Sequence, residues 1–375
     1  MQVLKNGKMV QFSRLVKYYR DEFRKNSLVK LITDDHISVL SAYIAWMECK
    51  GSLAIISPLM PQTQLKLLED QISKAELDQN ILFHTSGTTG TPKLVIRDKE
   101  FMTNNSENSK SLFGFDKDTG FANILPAPTA GFVHMIVSAL YSTDSTLILS
   151  NKSNLKEDLS DPRSTLTVLV PAVINMLKQQ KADLPFKELE RVVVGGSPFL
   201  DFQCKYLFDR GANKICHAYG STENGAPILT RTTTYYDDTS TWLEINDKCL
   251  FKQGELIYNG NYTGDVFEQK HNLIKFVGRN NDIIKMNGYM TNLFNIETEV
   301  EALYPNVEAL VSVESKMGRD YLLLRYAGGD DINLKKLQEV LKDRLPPCNI
   351  PAKCLKVDKI PRNILNKKIR HENSF

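Results

Sequence analysis

The sequence has few cysteines and no long apolar run, and both absences exclude whole classes of protein. Its 375 residues include 6 Cys, none of them in a C-x-x-C pair, so neither a disulfide framework nor a usual zinc-ligand spacing is present. No stretch approaches the ~18 uncharged apolar residues that a transmembrane helix needs. The N-terminal segment MQVLKNGKMVQF has no apolar signal core. We therefore expect a cytoplasmic protein with reduced thiols and no membrane span.

The sequence also lacks a strong charge of either sign. The net charge is +3, with 42% hydrophobic and 24% charged residues, which is ordinary for a globular chain and too mild to indicate nucleic-acid binding. The 20 Gly and 15 Pro are too few for a collagen-like or disordered chain. The charge is uneven, because residues 335–375 contain eleven Lys and Arg but only four Asp and Glu. This run indicates either a solvated face or a surface for a phosphorylated or acidic partner.

Short apolar runs alternate with helical patterns through the middle of the chain. Residues 165–170, 191–194 and 214–218 are strand candidates; Pro171 follows the first, and glycines follow the other two. Runs that are apolar throughout are typical of parallel strands buried on both faces. Because ligands of such sheets bind beyond the carboxyl ends of the strands, the glycine-rich sequences that follow these runs are candidate binding loops.

The C-terminal part has a different pattern. Asn292 and Asn333 can each cap a helix with apolar residues at helical spacing, and residues 321–326 between the two helices form a strand candidate. The polar stretch 279–282 precedes this unit. The sequence therefore predicts a large α/β domain at residues 1–278 and a small α+β domain at residues 279–375.

The segment His84–Lys93, HTSGTTGTPK, directly follows the apolar run at residues 81–83. Its glycines, hydroxyl groups and lysine offer main-chain and side-chain donors that can wrap a phosphate. The glycines at 87 and 90 are only three residues apart and Pro92 precedes the lysine, so the segment is not the P-loop of nucleoside triphosphatases. The alternative is a flexible Ser/Thr/Gly linker, which rarely follows a buried strand directly.

This segment resembles the phosphate loop of the adenylate-forming enzymes, the superfamily of acyl-CoA synthetases, peptide-synthetase adenylation domains and luciferases. Further motifs of that family follow in its order along the sequence. They are VGGSP at 194–198, YGSTE at 219–223, GEL at 254–256, TGD at 263–265, GR-x-x-D-x-I-K at 278–285 with GY at 288–289, and PR at 361–362 with Lys367. The overall pattern is most similar to acyl- or aryl-CoA ligases.

The resemblance implies a fold and an activity. The fold would be a large N-terminal domain of mostly parallel sheets flanked by helices, with a reduced front subdomain, and a small mobile α+β C-terminal domain that hinges at Asn281. The activity would be ATP- and Mg²⁺-dependent conversion of a small carboxylic acid to acyl-AMP, then transfer to coenzyme A or to the phosphopantetheine of a carrier protein. Two alternatives remain open: a non-catalytic nucleotide-binding or scaffold homologue, and adenylation without thioester formation.

The resemblance also implies roles for individual residues. Lys367 would bridge the substrate carboxylate and the α-phosphate, Thr222 would bind the α-phosphate and Glu223 would hold Mg²⁺; the neighbouring Lys368 leaves a one-residue ambiguity. The other implied ATP-binding or AMP-binding residues are Thr85, Ser86, Gly87, Thr88, Thr89, Gly90, Lys93, Gly195, Gly196, Ser197, Tyr219, Gly220, Asp265 and Arg279. The implied acyl-pocket residues are Thr129, Gly131, Phe132, His134 and Gly225. No acidic residue lies between Leu125 and Leu140, which favours a plain carboxylate over an α-amino acid.

Overall fold

The computed structural model describes residues 1–86, 92–141, 143, 145–151, 153–180, 184–286, 289–316, 319–362 and 368. The chain divides into two compact units. The first comprises Met1–Ile174, Ala182–Phe199 and Cys204–Ser240, and the second comprises Asn175–Lys181, Leu200–Gln203 and Thr241–Phe375. Residues 241–278 group with the second unit, so the division into units does not coincide with the domain boundary at 278/279. That boundary stays a prediction.

The elements of residues 1–240 form two sheets with their flanking helices. The strands are β1 (Gln2–Lys5), β2 (Lys8–Met9), β3 (Leu28–Ile32), β4 (Ser52–Ile56), β5 (Ile81–Ser86), β6 (Pro92–Arg97), β7 (Gly120–Asn123), β8 (Thr146–Leu149), β9 (Leu166–Leu169), β10 (Arg191–Gly195), β11 (Ile215–Ser221) and β12 (Gly225–Thr233). The helices are α1 (Ser13–Lys25), α2 (His36–Glu48), α3 (Gln62–Lys74), α4 (Lys99–Phe113), α5 (Ser138–Tyr141), α6 (Leu155–Leu159), α7 (Pro171–Gln179) and α8 (Asp201–Asp209). A π-helical segment, Phe132–Val137, leads into α5.

The larger sheet of the first unit is mostly parallel. Within the described residues its strand order is β12-β11-β10-β9-β7-β8-β1-β2, with antiparallel pairing only at its two ends. The smaller sheet has the order β3-β4-β5-β6, and only β6 is antiparallel to its neighbour. The three strands expected from apolar runs are present as β9, β10 and β11. The predicted fold class is confirmed.

Aromatic side chains fill the interior of the first unit. The largest fully buried ones are Trp46, Tyr43, Phe113, Phe121, Phe132 and Phe186. Parallel strands between such layers lose contact with water on both faces, so their sequences are apolar throughout rather than alternating. None of the helices in the described part of the chain has the length and apolar character needed to cross a membrane.

Among the described residues from 241 onward, the second unit has three sheets, antiparallel or mixed, and two helices. Its strands are β13 (Leu243–Glu244), β14 (Cys249–Lys252), β15 (Glu255–Tyr258), β16 (Asn261–Lys270), β17 (Leu273–Arg279), β18 (Ile283–Met286), β19 (Tyr289–Asn292), β20 (Glu308–Lys316), β21 (Arg319–Ala327) and β22 (Lys353–Lys356), and its helices are α9 (Leu293–Leu303) and α10 (Leu334–Lys342). The sheet orders are β13-β17-β16-β15-β14, β18-β19 and β20-β21-β22.

Local signals predicted the two C-terminal helices correctly. The side chain of Asn292 accepts a hydrogen bond from the main-chain N–H of Asn295, and that of Asn333 accepts one from Lys336, so each asparagine caps its helix. The apolar stripes of α9 and α10 pack on β20 and β21, where Ile296 and Leu337 are fully buried. This core combines helices and strands between residues 284 and 350, and the small domain at residues 279–375 stays a prediction.

Candidate active site

The carboxyl edge of the parallel strands brings together three of the predicted segments. Strands β11, β10, β9 and β7 are parallel neighbours in that order, so the residues after each strand meet at one edge of the sheet. The turn Gly196–Ser197 follows β10, the turn Thr222–Glu223 follows β11, and the loop 124–131 follows β7. A candidate site that the sequence scatters over roughly a hundred residues is thus one edge of one sheet.

The chain requires glycine at positions 195 and 196 for two different reasons. A Cβ atom on Gly195 would lie 2.6 Å from the main-chain oxygen of Ala218 on β11, a distance at which backbone has to move. Gly196 has φ +84°, a left-handed conformation that side chains with a Cβ atom rarely adopt. The two glycines therefore let the chain turn away directly at the end of β10.

The turn after β11 presents an unpaired carboxylate. The hydroxyl of Ser221 accepts a hydrogen bond from the main-chain N–H of Asn224 at 3.0 Å, which closes the turn around Thr222 and Glu223. Glu223 is exposed and its carboxylate forms no ion pair with any described residue. Tyr219 and Gly220 belong to β11 itself, immediately before the turn.

A single carboxylate is compatible with Mg²⁺ held largely by a nucleotide. The described residues contain no group of three or more His, Cys, Asp or Glu side chains that could enclose a metal ion. Mg²⁺ commonly binds one or two protein carboxylates and takes its other ligands from substrate phosphates and water. Glu223 supplies a hard oxygen ligand of that kind, so the residues present fit a nucleotide-bound Mg²⁺.

The predicted phosphate loop lies at the tip of the β5–β6 hairpin. Thr85 pairs with Lys93, and Ser86 pairs with Pro92. The connecting residues, which include the predicted ligands Gly87, Thr88, Thr89 and Gly90, lie outside the described residues. Gln71 of α3 holds the start of β6: its amide Nε2 donates to the main-chain oxygen of Pro92 at 2.7 Å, and its Oε1 accepts from the N–H of Leu94 at 3.0 Å.

Two of the predicted acyl-pocket residues are core side chains in this structure. Phe132 and His134 are fully buried, and the His134 ring meets that of Phe83 edge-on at a centroid distance of 4.7 Å. Burial lowers the pKa of His134 to about 3, so its ring is neutral. A Cβ atom on Gly225 would lie 2.7 Å from the side-chain oxygen of Asn105, so this space is also filled.

The remaining two predicted pocket residues, Thr129 and Gly131, directly precede the π-helical segment Phe132–Val137. The hydroxyl of Thr129 donates to the main-chain oxygen of Pro126 and accepts from the N–H of Phe132, while Gly131 lies between them. His36 Nε2 lies 2.7 Å from the main-chain oxygen of Leu125, at the start of this loop. The acyl-pocket assignment for all five residues stays a prediction.

In the second unit, Asp265 and Arg279 are already paired with each other. They are cross-strand neighbours on β16 and β17, and the Nε of Arg279 lies 2.9 Å from Oδ1 of Asp265, which is only 4% exposed. Glu255 of β15 supports both strands. Its Oε1 accepts from the N–H of Gly264 at 2.9 Å, and its Oε2 accepts from the side chain of Asn280 at 2.8 Å.

The terminal lysines separate into one anchored residue and one outside the described part of the chain. Lys368 Nζ lies 2.7 Å from Oε1 of Glu301 and 3.9 Å from Oε2 of Glu297, and it donates to the main-chain oxygen of Ala309. Burial lowers the pKa of Lys368, but the two carboxylates outweigh burial and raise it above its ordinary value. Lys367 lies outside the described residues, so its role stays a prediction, as does the hinge at Asn281, whose side chain is likewise outside them.

Sequence reasoning did not find the supporting contacts of three residues. Gln71 and Arg97, whose side chain donates to the main-chain oxygen of Glu223, are not part of any motif, and no local pattern marks them. Glu255 was recognised within GEL, but the sequence gives no sign that its two oxygens bind two separate segments.

Comparison with known proteins identifies the family. Residues 25–245 match the family model described as AMP-binding enzyme. Bacitracin synthase 1 of Bacillus licheniformis is 23% identical over 340 residues, which cover 76% of this chain and 6% of that protein. The 2-succinylbenzoate–CoA ligase of Staphylococcus aureus (strain Newman) is 24% identical over 318 residues, which cover 75% of this chain and 64% of that protein. The chain thus spans less than two thirds of the length of these relatives.

Solved structures support the same fold. O-succinylbenzoate coenzyme A synthetase (MenE) from Bacillus subtilis, in complex with ATP and magnesium ion, has a TM-score of 0.78 at 16% identity and covers 99% of this chain and 95% of its own. ATP-bound MatB from Rhodopseudomonas palustris has a TM-score of 0.79 at 15% identity, covering 98% and 93%. At these identities the likeness shows the fold. Because the family match spans more than half of the sequence, this chain belongs to the family of AMP-binding enzymes.

Proposed function

We propose that the chain activates a small carboxylic acid with ATP and then transfers the acyl group to the thiol of coenzyme A. The observation that carries the proposal is the exposed, unpaired carboxylate of Glu223. It lies at the carboxyl edge of a parallel sheet, beside the glycine turn after β10, in a chain of the AMP-binding family.

The first step joins two anions. A carboxylate oxygen of the acid attacks the α-phosphorus of ATP, the bond from that phosphorus to the oxygen that bridges to the β-phosphate breaks, and the products are acyl-AMP and free pyrophosphate. Thr222 would donate its hydroxyl to the α-phosphate, and Lys93 with the hydroxyls of Thr85 and Ser86 would bind the departing phosphates. Glu223 would hold Mg²⁺, whose positive charge would stabilise the departing pyrophosphate. Lys367 would offset the repulsion between the carboxylate and the α-phosphate.

The nucleoside would be recognised by residues of different character. Tyr219 would stack on the adenine, and Asp265 would accept hydrogen bonds from the ribose hydroxyls. Arg279, whose Nε lies 2.9 Å from that carboxylate, would hold it in place for the ribose.

In the second step a thiol displaces AMP from the acyl group. The sulfur of the thiol attacks the acyl carbon, the bond from that carbon to the phosphate oxygen breaks, AMP leaves and the thiol proton is released. Exposed lysines of the second unit, Lys335, Lys336 and Lys342 on α10 and Lys353 on β22, favour an anionic acceptor. Coenzyme A is anionic because it carries phosphate groups. An acidic carrier protein that bears phosphopantetheine is the second candidate, since the same exposed lysines would attract it.

Names of relatives and the pocket sequence guide the choice of acid. Relatives named as 2-succinylbenzoate–CoA ligase and solved structures of MenE make 2-succinylbenzoate the first acid to try. The segment from Leu125 to Leu140 has no acidic residue to bind an α-amine, so plain aryl and aliphatic carboxylates come next and amino acids last.

The test is exchange of radiolabelled pyrophosphate into ATP over a panel of these acids, followed by thioester formation with coenzyme A or with a carrier protein. We expect acid-dependent exchange and then a thioester. ATP binding without exchange for any acid would instead identify a non-catalytic nucleotide-binding protein, and exchange without any thioester would restrict the activity to adenylation.

A further inference from the structure

Arg97 connects the two segments to which the proposed function assigns the phosphates and Mg²⁺. It is the last residue of β6, the strand that leaves the phosphate-loop hairpin. Its Nη2 donates to the main-chain oxygen of Glu223 and lies 3.4 Å from the main-chain oxygen of Thr222. One guanidinium thus contacts two successive carbonyl groups of the turn after β11.

Neighbouring groups hold the Arg97 guanidinium in place. Its Cζ lies 4.6 Å from the centre of the Phe101 ring, and its Nη1 donates to the main-chain oxygen of Ile96 at 2.7 Å. The buried side chain loses hydration that a surface arginine keeps, and this burial lowers the pKa of Arg97 below its ordinary value. The hydrogen bonds to the carbonyl groups offset that loss.

Arg97 leaves the functional groups of the turn unused. It binds main-chain oxygens, and the other tie across the turn, from Ser221 to Asn224, uses the main-chain N–H of Asn224. The hydroxyl of Thr222 and the carboxylate of Glu223 take part in neither contact. The backbone that carries them is therefore held from two sides while both side chains stay available.

We propose that Arg97 is a positioning residue for the activation step: it fixes the Thr222–Glu223 turn to the β5–β6 hairpin, so that the Mg²⁺ ligand and the phosphate-binding segment keep one separation. The inference rests on the proposed function. Both contacts come from the same Nη2 atom of a guanidinium that also packs against the Phe101 ring, whereas a lysine ammonium is a strongly hydrated point charge on a flexible stem.

Positioning and simple electrostatics make opposite predictions for Mg²⁺. The positive charge of Arg97 interacts with the Glu223 carboxylate, so deleting that charge alone would make the site more negative and strengthen Mg²⁺ binding. Loss of positioning would weaken Mg²⁺ binding, by about 10–100-fold when a residue that supports a metal ligand is removed. The sign of the change in Mg²⁺ affinity therefore separates the two explanations.

The experiment compares Arg97→Met and Arg97→Lys with Arg191→Met. Arg191 also donates from its guanidinium to a main-chain oxygen, that of Phe113, but it begins β10 at the amino end, away from the carboxyl edge. For each protein, calorimetry measures ATP binding as Mg²⁺ is varied, pyrophosphate exchange gives kcat and KM, and thermal melting reports stability. Arg97→Lys retains the charge and most of the packing, and it serves as the folded variant where Arg97→Met does not fold.

We expect the Mg²⁺ concentration for half-maximal ATP binding to rise about 10–100-fold in Arg97→Met and by less in Arg97→Lys. Arg191→Met is expected to melt at a lower temperature with an unchanged Mg²⁺ requirement. An unchanged or lower Mg²⁺ requirement in both Arg97 variants overturns the proposal. Wild-type protein that binds ATP with Mg²⁺ but exchanges no pyrophosphate overturns the proposed function alone, whereas absence of Mg²⁺-dependent ATP binding in the wild type overturns both.

Discussion

The two units hold their proposed nucleotide-binding residues in opposite ways. At the carboxyl edge in the first unit, main-chain contacts and glycines set the geometry, and the carboxylate of Glu223 forms no ion pair with a described residue. In the second unit, Asp265 pairs with Arg279 and Lys368 pairs with Glu301. Substitutions in the first unit should therefore affect activity more than stability, and charged residues of the second unit should affect both.

The largest effect on stability is expected for Lys368→Met. Removing the ammonium takes a cation away from the buried carboxylates of Glu297 and Glu301, which should lower the free energy of unfolding by about 3–5 kcal/mol. The pKa of Lys368 is raised in the folded protein, so its contribution is present below its ordinary pKa of 10.5 and is lost as the pH rises through its folded pKa. Urea unfolding across this range measures it; an unchanged midpoint for Lys368→Met, with exposed Lys335→Met as control, would contradict it.

The adjacent Lys367→Ala should have the complementary effect. Loss of its charge is expected to slow acyl-AMP formation by about 10²–10³-fold, because a well-placed charge in a shielded site is worth that much to the transition state. Thioester formation from preformed acyl-AMP should proceed at nearly the wild-type rate, since the resemblance places Lys367 away from the second step. The two half-reactions are measured separately. Equal losses in both would refute the expectation that Lys367 acts in the first step alone.

His84 should make the first unit sensitive to acid. Burial lowers its pKa from 6.5 to about 4, so between these values the unfolded chain binds a proton that the folded chain does not. Stability should therefore fall as the pH drops through this window, by roughly 3 kcal/mol for this residue. Chemical unfolding of His84→Gln as a function of pH should give a shallower slope than the wild type. The same slope in both proteins would show that His84 is not responsible.

A pair of carboxylate substitutions tests the comparison directly. Glu223→Gln should keep the melting temperature but weaken Mg²⁺-dependent exchange at least about tenfold, with partial recovery at high Mg²⁺. Asp265→Asn should lower stability by about 1–3 kcal/mol through its contact with Arg279 and also raise the KM for ATP. A loss of activity in Glu223→Gln that Mg²⁺ does not relieve would mean that the carboxylate has another task.

The smallest expected effects separate two uses of glycine. Gly195→Ala forces a Cβ atom against the main-chain oxygen of Ala218 and should cost about 1–3 kcal/mol as β10 and β11 move apart. At Gly264 a Cβ atom would meet nothing within 4 Å, so Gly264→Ala should cost only the strain of its left-handed φ of +73°, about 1–2 kcal/mol. Melting temperatures rank the two variants, and exchange rates should fall further in Gly195→Ala. The reverse order would disprove the close-approach argument.

The sequence predicted those features whose causes are local. Apolar runs located β9, β10 and β11 because both faces of these strands are buried, and Asn292 and Asn333 located two helix starts because each caps its own first turn. Motif order identified the family.

Features set by distant contacts were not predictable. The contact from Arg97 to Glu223 joins residues 126 positions apart, and the ion pair from Lys368 to Glu301 joins residues 67 apart. Neither residue differs in its local sequence from an ordinary exposed cation. The apolar segment with Phe132 and His134 is compatible equally with a pocket and a core, and only packing distinguishes them.

The parallel pairing of β1 with β8 gives the order of synthesis a consequence for folding. Gln2 lies opposite Thr146, so β1 finds this parallel neighbour only after a long stretch of further chain has been translated. Roughly 140 residues separate them, which at ~5–20 residues per second is a delay on the order of ten seconds. During this interval Val3 and Leu4, which are buried in the finished sheet, remain exposed on a strand whose edge toward β8 is open. Nascent chains at this stage are the form of the protein most exposed to mispairing, well before any nucleotide can bind.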